Sequence, residues 1–245
     1  MDSGFYSAFA GLAARMQSLD LVANNLANVN TVGYKGEKEF YKAYAASLGG
    51  TALSPLNDAI NDFGVLGGAR VDMSAGSLNH TGNDTDLAIA GSGFFAVQTA
   101  AGVRYTRNGA FNLNTQRQLV DSQGNLVLGQ AGPIQIPSGS VLSISPDGTV
   151  SMDGAVVNTL KIVDFPAGTQ ITPEGNTDFV AANGSEQPAA DAKVQQGMLE
   201  ASNSNPISNA VALIDVQRNA EFMERALQIF NTDLNQTAVQ DLPKI

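Results

Sequence analysis

The sequence predicts an α+β protein, with N- and C-terminal helices paired as a coiled coil and a central antiparallel all-β domain. Two observations carry that expectation. Near both termini, apolar residues recur at alternating spacings of four and three, the signature of an interhelical seam. From about Ser74 to Gln195 the chain turns to Gly, Asn, Asp and Thr, with short alternating apolar runs between turn signals. The expected order is an N-terminal helix in residues 1–34, an extended connector in 35–73, a β domain in 74–196 and a C-terminal helical segment in 197–245 that pairs with the first.

The first helix is expected from about Ser3 to Val29. Phe5, Phe9, Leu12, Met16, Leu19, Ala23 and Leu26 form its a/d pattern over three heptads. Gly4 and Gly11 each cost a helix roughly 1 kcal/mol against Ala, which a packed partner has to offset. The last helix repeats the pattern with Leu213, Val216, Ala220, Met223, Leu227, Phe230 and Leu234. Pro206 suits its first turn, with Asn205 or Ser204 as cap, and Pro243 lies beyond its end. The alternative is that both helices pack on the core of the β domain, the commoner use of amphipathic helices.

Strands are expected at Leu87–Ile89, Phe94–Gln98, Val103–Thr106, Gln118–Val120, Leu126–Leu128, Ile134–Ile136, Val141–Ile144 and Leu160–Asp164. Ala101-Gly102, Asn108-Gly109, Gln123-Gly124-Asn125, Asp147-Gly148 and Asp153-Gly154 separate them as turns. The connector carries Gly49-Gly50, Pro55 and Gly67-Gly68 and reads as extended.

Composition removes several classes of function. Thirteen basic against 23 acidic residues give a net charge of −10, which argues against a phosphate-neutralising nucleic-acid surface. Cysteine is absent, so no disulfide, thiolate nucleophile or Cys-based zinc site is available. Charged residues are only 15% of 245, and a surface that poor in charge is easily buried against other proteins. Met1-Asp2-Ser3-Gly4 has no basic n-region, and no continuous apolar run precedes Arg15, so no cleaved secretory leader is expected. No stretch approaches the roughly 20 apolar residues of a membrane-spanning helix, so direct membrane insertion is not expected.

Catalytic and metal chemistry find little support. His80 sits in "LNHTGNDTD" near Asp84 and Asp86, without a nucleophile-elbow motif. Asp84 and Asp86 read as D-x-D, but no calcium loop with a closing Glu follows, and turn capping by Asp is the better reading. The glycines of "GSGFF" are too few for a dinucleotide loop and instead allow a tight turn before Phe94 and Phe95. No enzyme activity, cofactor or metal is expected.

The stretch "VANNLANVNTVGYK" is the most unusual in the chain. Asn is a poor helix former, yet Asn24, Asn25, Asn28 and Asn30 crowd the end of the first helix. In the a/d register Asn24, Asn25 and Asn28 fall at b, c and f, away from the seam. An uncharged amide face suits contact with copies of the same chain, because amides donate and accept at once. Fraying is the plainer alternative: it accounts for Asn30, Thr31 and a positive φ at Gly33, but poorly for Asn24 and Asn25.

These residues carry a resemblance. "ANNLANVNTVGYK", Ala23 to Lys35, resembles the N-terminal signature of the flagellar rod and hook family over thirteen contiguous positions, including Asn24, Asn25, Asn28, Thr31, Gly33, Tyr34 and Lys35. "TDLAIAGSGFFAVQTAAGVRYTRNGAFNLN", Thr85 to Asn114, and "GMLEASNSNPISNAVALIDVQRNAEF", Gly197 to Phe222, are similar to its central and C-terminal stretches. "VLGQAGPIQIPSG", Val127 to Gly139, and the length are similar to proximal-rod members, with distal-rod members the near alternative. Asn203-Ser204-Asn205-Pro206 departs from the usual S-N-V and leaves that choice open.

The resemblance implies a structural subunit of the periplasmic basal-body rod. Terminal helices would pair as a coiled coil lining a helical tube, with the β domain outside, serving torque transmission and the export channel. Its implied partners are other rod subunits, copies of itself and the flagellar type III export apparatus, with no cleaved signal peptide. A reading of another class is a secreted polymer-binding β module on a coiled-coil stalk. A stalk would carry solvated charge where this chain has Gln17, Ser18, Asn24, Asn25 and Asn28.

Overall fold

A computed structural model describes residues 2–42, 65–166, 168–175, 177–181 and 184–240. The chain divides into two compact units. One takes helix α1 (Asp2–Ala27), strand β1 (Glu37–Lys42), strand β2 (Val65–Val71) up to Arg70, and helix α2 (Pro206–Gln240). The other takes residues 28–36 and 71–204.

In the helical unit, α2 begins where its sequence signals. Asn205 Oδ1 accepts the backbone N–H groups of Ile207 at 2.9 Å and Ser208 at 3.1 Å, two donors that otherwise lack a partner. Pro206 occupies the first helical position, where its missing N–H costs nothing. The connector contributes β1 and β2, which pair as a two-stranded sheet. Gly49-Gly50, Pro55 and Pro243 lie outside the described residues.

The helices pack on each other, but not as the coiled coil that the heptads predict. Phe9 is 59% exposed and Met16 49% exposed, although both belong to the expected seam. Leu12, Leu19, Ala23, Leu26, Leu213, Val216 and Met223 are only half-buried. Among the described residues the buried ones on α1 are Ser18, Val22 and Asn25, each one position before an expected seam residue, while on α2 the buried residue is Ala220, which belongs to the expected seam. Gly11 allows the closest approach: a Cβ there would stand 2.8 Å from Met223 Cε.

The reason is geometric. Residues 11, 15, 18, 22 and 25 repeat the same four–three spacing one position earlier. The spacing therefore defines a stripe but not which of two adjacent stripes is covered. On α1 the earlier stripe is the buried one, and Phe9 and Met16 are left exposed. The side chains of Phe5, Leu227, Phe230 and Leu234 lie outside the described residues.

The β unit is built from antiparallel pairs. Its largest sheet has ten strands. After β3 (Leu78–His80) and β4 (Leu87–Ala90), the central run comprises β5 (Phe94–Thr99), β6 (Gly102–Thr106), β7 (Asn112–Leu113), β8 (Leu119–Val120) and β9 (Leu126–Gly129). The pairing order is β6-β5-β9-β8-β7. Four expected turns fall where Gly102, Gly124, Gly148 and Gly154 take positive φ, the conformation those signals demand. A second pair joins Leu87–Ala90 to Lys193–Gln196, and a third joins Leu78–His80 to Met198–Glu200.

Alternation of side chains across these strands fills two cores. The larger holds Leu87, Ile89, Phe95, Val97, Phe111 and Val127 among others. The smaller holds Phe94, Ala96, Tyr105, Val163 and Phe179. Phe95 meets Phe111 edge-on at 5.2 Å, and Phe94 meets Phe179 at 5.5 Å, the tilted geometry aromatic quadrupoles favour. At the Asn108-Gly109 turn, the Gly109 carbonyl accepts the Leu87 N–H at 3.0 Å, and any Cβ on Gly109 would collide with the Leu87 carbonyl.

Candidate functional site

Three charged side chains of the β unit are buried where they meet: Lys35, Arg107 and Glu200, only 1%, 4% and 1% exposed. Lys35 ends the Asn-rich motif, Arg107 follows β6, and Glu200 closes the strand Met198–Glu200. Lys35 Nζ donates to Glu200 Oε1 at 2.6 Å and to the Ser74 carbonyl at 2.7 Å. The same Oε1 accepts the Gly76 N–H at 2.9 Å. Glu200 Oε2 accepts from Arg107 Nη1 at 3.2 Å. Arg107 also donates to the carbonyls of Ile89 and Gly91 and lies over the Phe94 ring at 5.4 Å.

One carboxylate therefore serves two cations away from water. Burial pushes the Lys35 amine below its ordinary 10.5, against the opposing pull of its bond to Glu200. Among the described side chains, Arg107 Nε is buried without a partner. Such an arrangement is costly to open on one side, because the remaining charge stays buried and unpaired.

The backbone around these charges is equally constrained. Gly33, at φ 69°, donates its N–H to the Glu200 carbonyl at 2.8 Å. A side chain at Gly33 would run into the backbone of Arg107 and Asn108, and one at Gly76 into the Ala201 carbonyl. Asn203 ties the same three segments together. Its Oδ1 accepts the Gly36 N–H at 2.7 Å, its Nδ2 donates to the Asp72 carbonyl at 2.7 Å, and its own N–H donates to the Tyr34 carbonyl at 3.3 Å.

Of the motif residues singled out from the sequence, Gly33, Tyr34 and Lys35 thus enter this clamp. Thr31 donates its hydroxyl to Asn28 Oδ1 at 3.1 Å. Asn25 is buried in the helical unit. Its Nδ2 donates to the Glu37 carbonyl at 2.7 Å and its Oδ1 accepts the Glu37 N–H at 2.9 Å, so the amide pairs with β1 as a backbone group would. Asn24 is exposed. Asp86 accepts from Asn83 Nδ2 at 3.2 Å within its turn, while His80 and Asp84 are exposed.

Sequence reasoning missed Arg107, Glu200 and Asn203. Each lies in a stretch that carries the family resemblance, "YTRNG" or "GMLEASN". What was missing was the link between them, across 93 residues from Arg107 to Glu200 and 165 from Lys35 to Glu200.

A β unit with its own apolar cores and a buried charged clamp, and helices with large apolar side chains uncovered, define a structural assembly subunit. Residues 5–35 match the family model described as flagella basal body rod protein, and residues 88–152 match the flagellar hook protein FlgE/F/G D1 domain. The chain is 36% identical to the flagellar basal-body rod protein FlgF of Caulobacter vibrioides over 100% of both chains. It is 30% identical to FlgF of Escherichia coli over 95% of this chain and 94% of that one. Identity to the rod protein FlgG of Borreliella burgdorferi is also 30%, over 93% and 94%. The chain belongs to the flagellar basal-body rod protein family.

Proposed function

We propose that the chain is a structural subunit of the bacterial flagellar basal-body rod, of the FlgF type, joining other rod subunits and copies of itself through its helices. The observation that carries this is a stripe on α2. Ile207, Val211, Ile214, Phe222 and Ile229 are all exposed, and with Arg218 and Arg225 they follow one face of the helix. Phe9 and Met16 extend the exposed apolar surface on α1. A contiguous stripe of this kind marks a surface that another protein covers.

The role is mechanical rather than catalytic: the subunit contributes to torque transmission and to the wall of the export channel. Export through the flagellar type III apparatus, without a cleaved leader, and a periplasmic position in the rod complete the reading. Asn24 and Asn28 border the helical surface and face neighbouring subunits in this account.

The test is complementation of a null strain with Val211→Asp and Phe222→Asp together. Both positions are exposed in the single chain, so the variant is expected to fold normally and to leave no rods among isolated basal bodies. Normal rods and motility from this variant would overturn the reading. Cross-complementation of FlgF and FlgG null strains distinguishes the two subtypes.

A further inference from the structure

We propose that residues 28–36, 72–77 and 198–204 form a cooperative latch that opens as one piece while both cores of the β unit stay closed. Four observations support it. Among the described residues, neither apolar core contains a member of these three segments. They are held instead by the short pairing of Met198–Glu200 with Leu78–His80 and by polar contacts that converge on two side chains. Glu200 serves Lys35, Gly76 and Arg107, while Asn203 serves Gly36, Tyr34, Asp72 and Ser74.

Sharing makes the segments interdependent. If residues 28–36 leave, Glu200 loses its lysine and keeps Arg107, while the Asp72 N–H loses the Gly36 carbonyl at 2.7 Å. The corner also buries three charged side chains, which makes it dearer to keep closed than the apolar cores. Finally, the segments cannot slide to a neighbouring register. Gly33 and Gly76 sit backbone against backbone on Asn108 and Ala201, so the latch has a seated state and a released state with nothing between.

The latch lies at all four points where the chain enters or leaves the β unit, before Asn28, after Gly36, before Val71 and after Ser204. Its release would free both chain ends from their common anchor and open the short pairing of Met198–Glu200 with Leu78–His80, while the ten-stranded sheet stays closed. Cooperative units of this sort open at lower free energy than the global transition.

Hydrogen exchange on the full chain tests this. The amides of Gly33, Gly36, Asp72, Gly76, Ala201 and Asn203 are each donors within the latch. They are expected to exchange at one common rate, faster than the core amides of Ala96 and Leu119. Glu200→Gln and, separately, Asn203→Ala are each expected to speed all six by about 10-fold or more while leaving the core amides unchanged. The proposal fails if the six exchange at the core rate. It fails if Asn203→Ala speeds only Gly36 and not Gly33 and Gly76. It fails, too, if Glu200→Gln prevents the β unit from folding at all.

Discussion

The two units bury opposite kinds of side chain. In the β unit the fully covered residues include Phe95, Phe111, Leu87, Ile89 and Val127. In the helical unit the covered described residues are Ser18, Val22, Asn25 and Ala220, while Phe9, Met16, Ile207, Phe222 and Ile229 face outward. Apolar burial supplies most folding free energy. The β unit is therefore self-sufficient, and the helical unit retains much of its apolar surface for association. On the proposed function, the difference separates residues that make the fold from residues that make the assembly.

The largest expected effect lies in the β core. Phe95→Ala removes a fully buried ring stacked edge-on against Phe111, and should cost about 3–5 kcal/mol in urea unfolding of the β unit. A loss below about 1 kcal/mol would mean that the core is not the seat of stability. Gly33→Ala comes next. It combines a φ of 69° with a clash against Arg107 and Asn108, and should cost about 2–4 kcal/mol. An unchanged denaturation midpoint would contradict the docking of this segment.

Within the motif, the asparagines should separate. Asn25→Ala leaves the Glu37 N–H and carbonyl unpaired and should destabilise the chain by about 1–3 kcal/mol. Asn24→Ala, at an exposed position, should cost less than Asn25→Ala. Equal effects would mean that the amide pairing with β1 is not what holds Asn25 in place.

A smaller effect has a definite pH sign. Burial, and next the charge of Asp121, raise the Asp178 carboxyl above its ordinary 3.8. Between 3.8 and the raised value the folded chain binds more protons than the unfolded chain, so this group's contribution falls as pH rises through that window. Asp178→Asn should then stabilise the chain at neutral pH, by less than about 1 kcal/mol given partial solvent screening, and lose that advantage in acid. Destabilisation at neutral pH would reverse the argument. The smallest effect is expected from Phe9→Ser, which should change the stability of the isolated chain by less than about 0.5 kcal/mol. A large loss would show that Phe9 is covered within one chain.

What was legible in the sequence follows the same division. Turns announced by Ala101-Gly102, Gln123-Gly124 and Asp153-Gly154 were readable because a single residue type meets a local backbone demand, whereas Gly109 takes no positive φ. The Asn205-Pro206 helix start was readable for the same reason. The covered face of α1 was not, because a stripe through Leu12, Met16 and Leu19 and one through Gly11, Ser18 and Val22 share a period, and hydrophobicity favoured the wrong one. Ser18 and Asn25, buried on α1, carry no apolar signal to read. The clamp escaped because Lys, Arg and Glu ordinarily mark solvent, and only folding brings Lys35, Arg107 and Glu200 to one point.

Cryo-electron microscopy of basal bodies isolated from a strain whose only copy of this rod protein is the present chain tests the central division directly. The account expects the β unit unchanged, and Phe9, Met16, Phe222 and Ile229 buried between adjacent subunits. Rods in which those four side chains still face water, or rods that lack the chain, would contradict it.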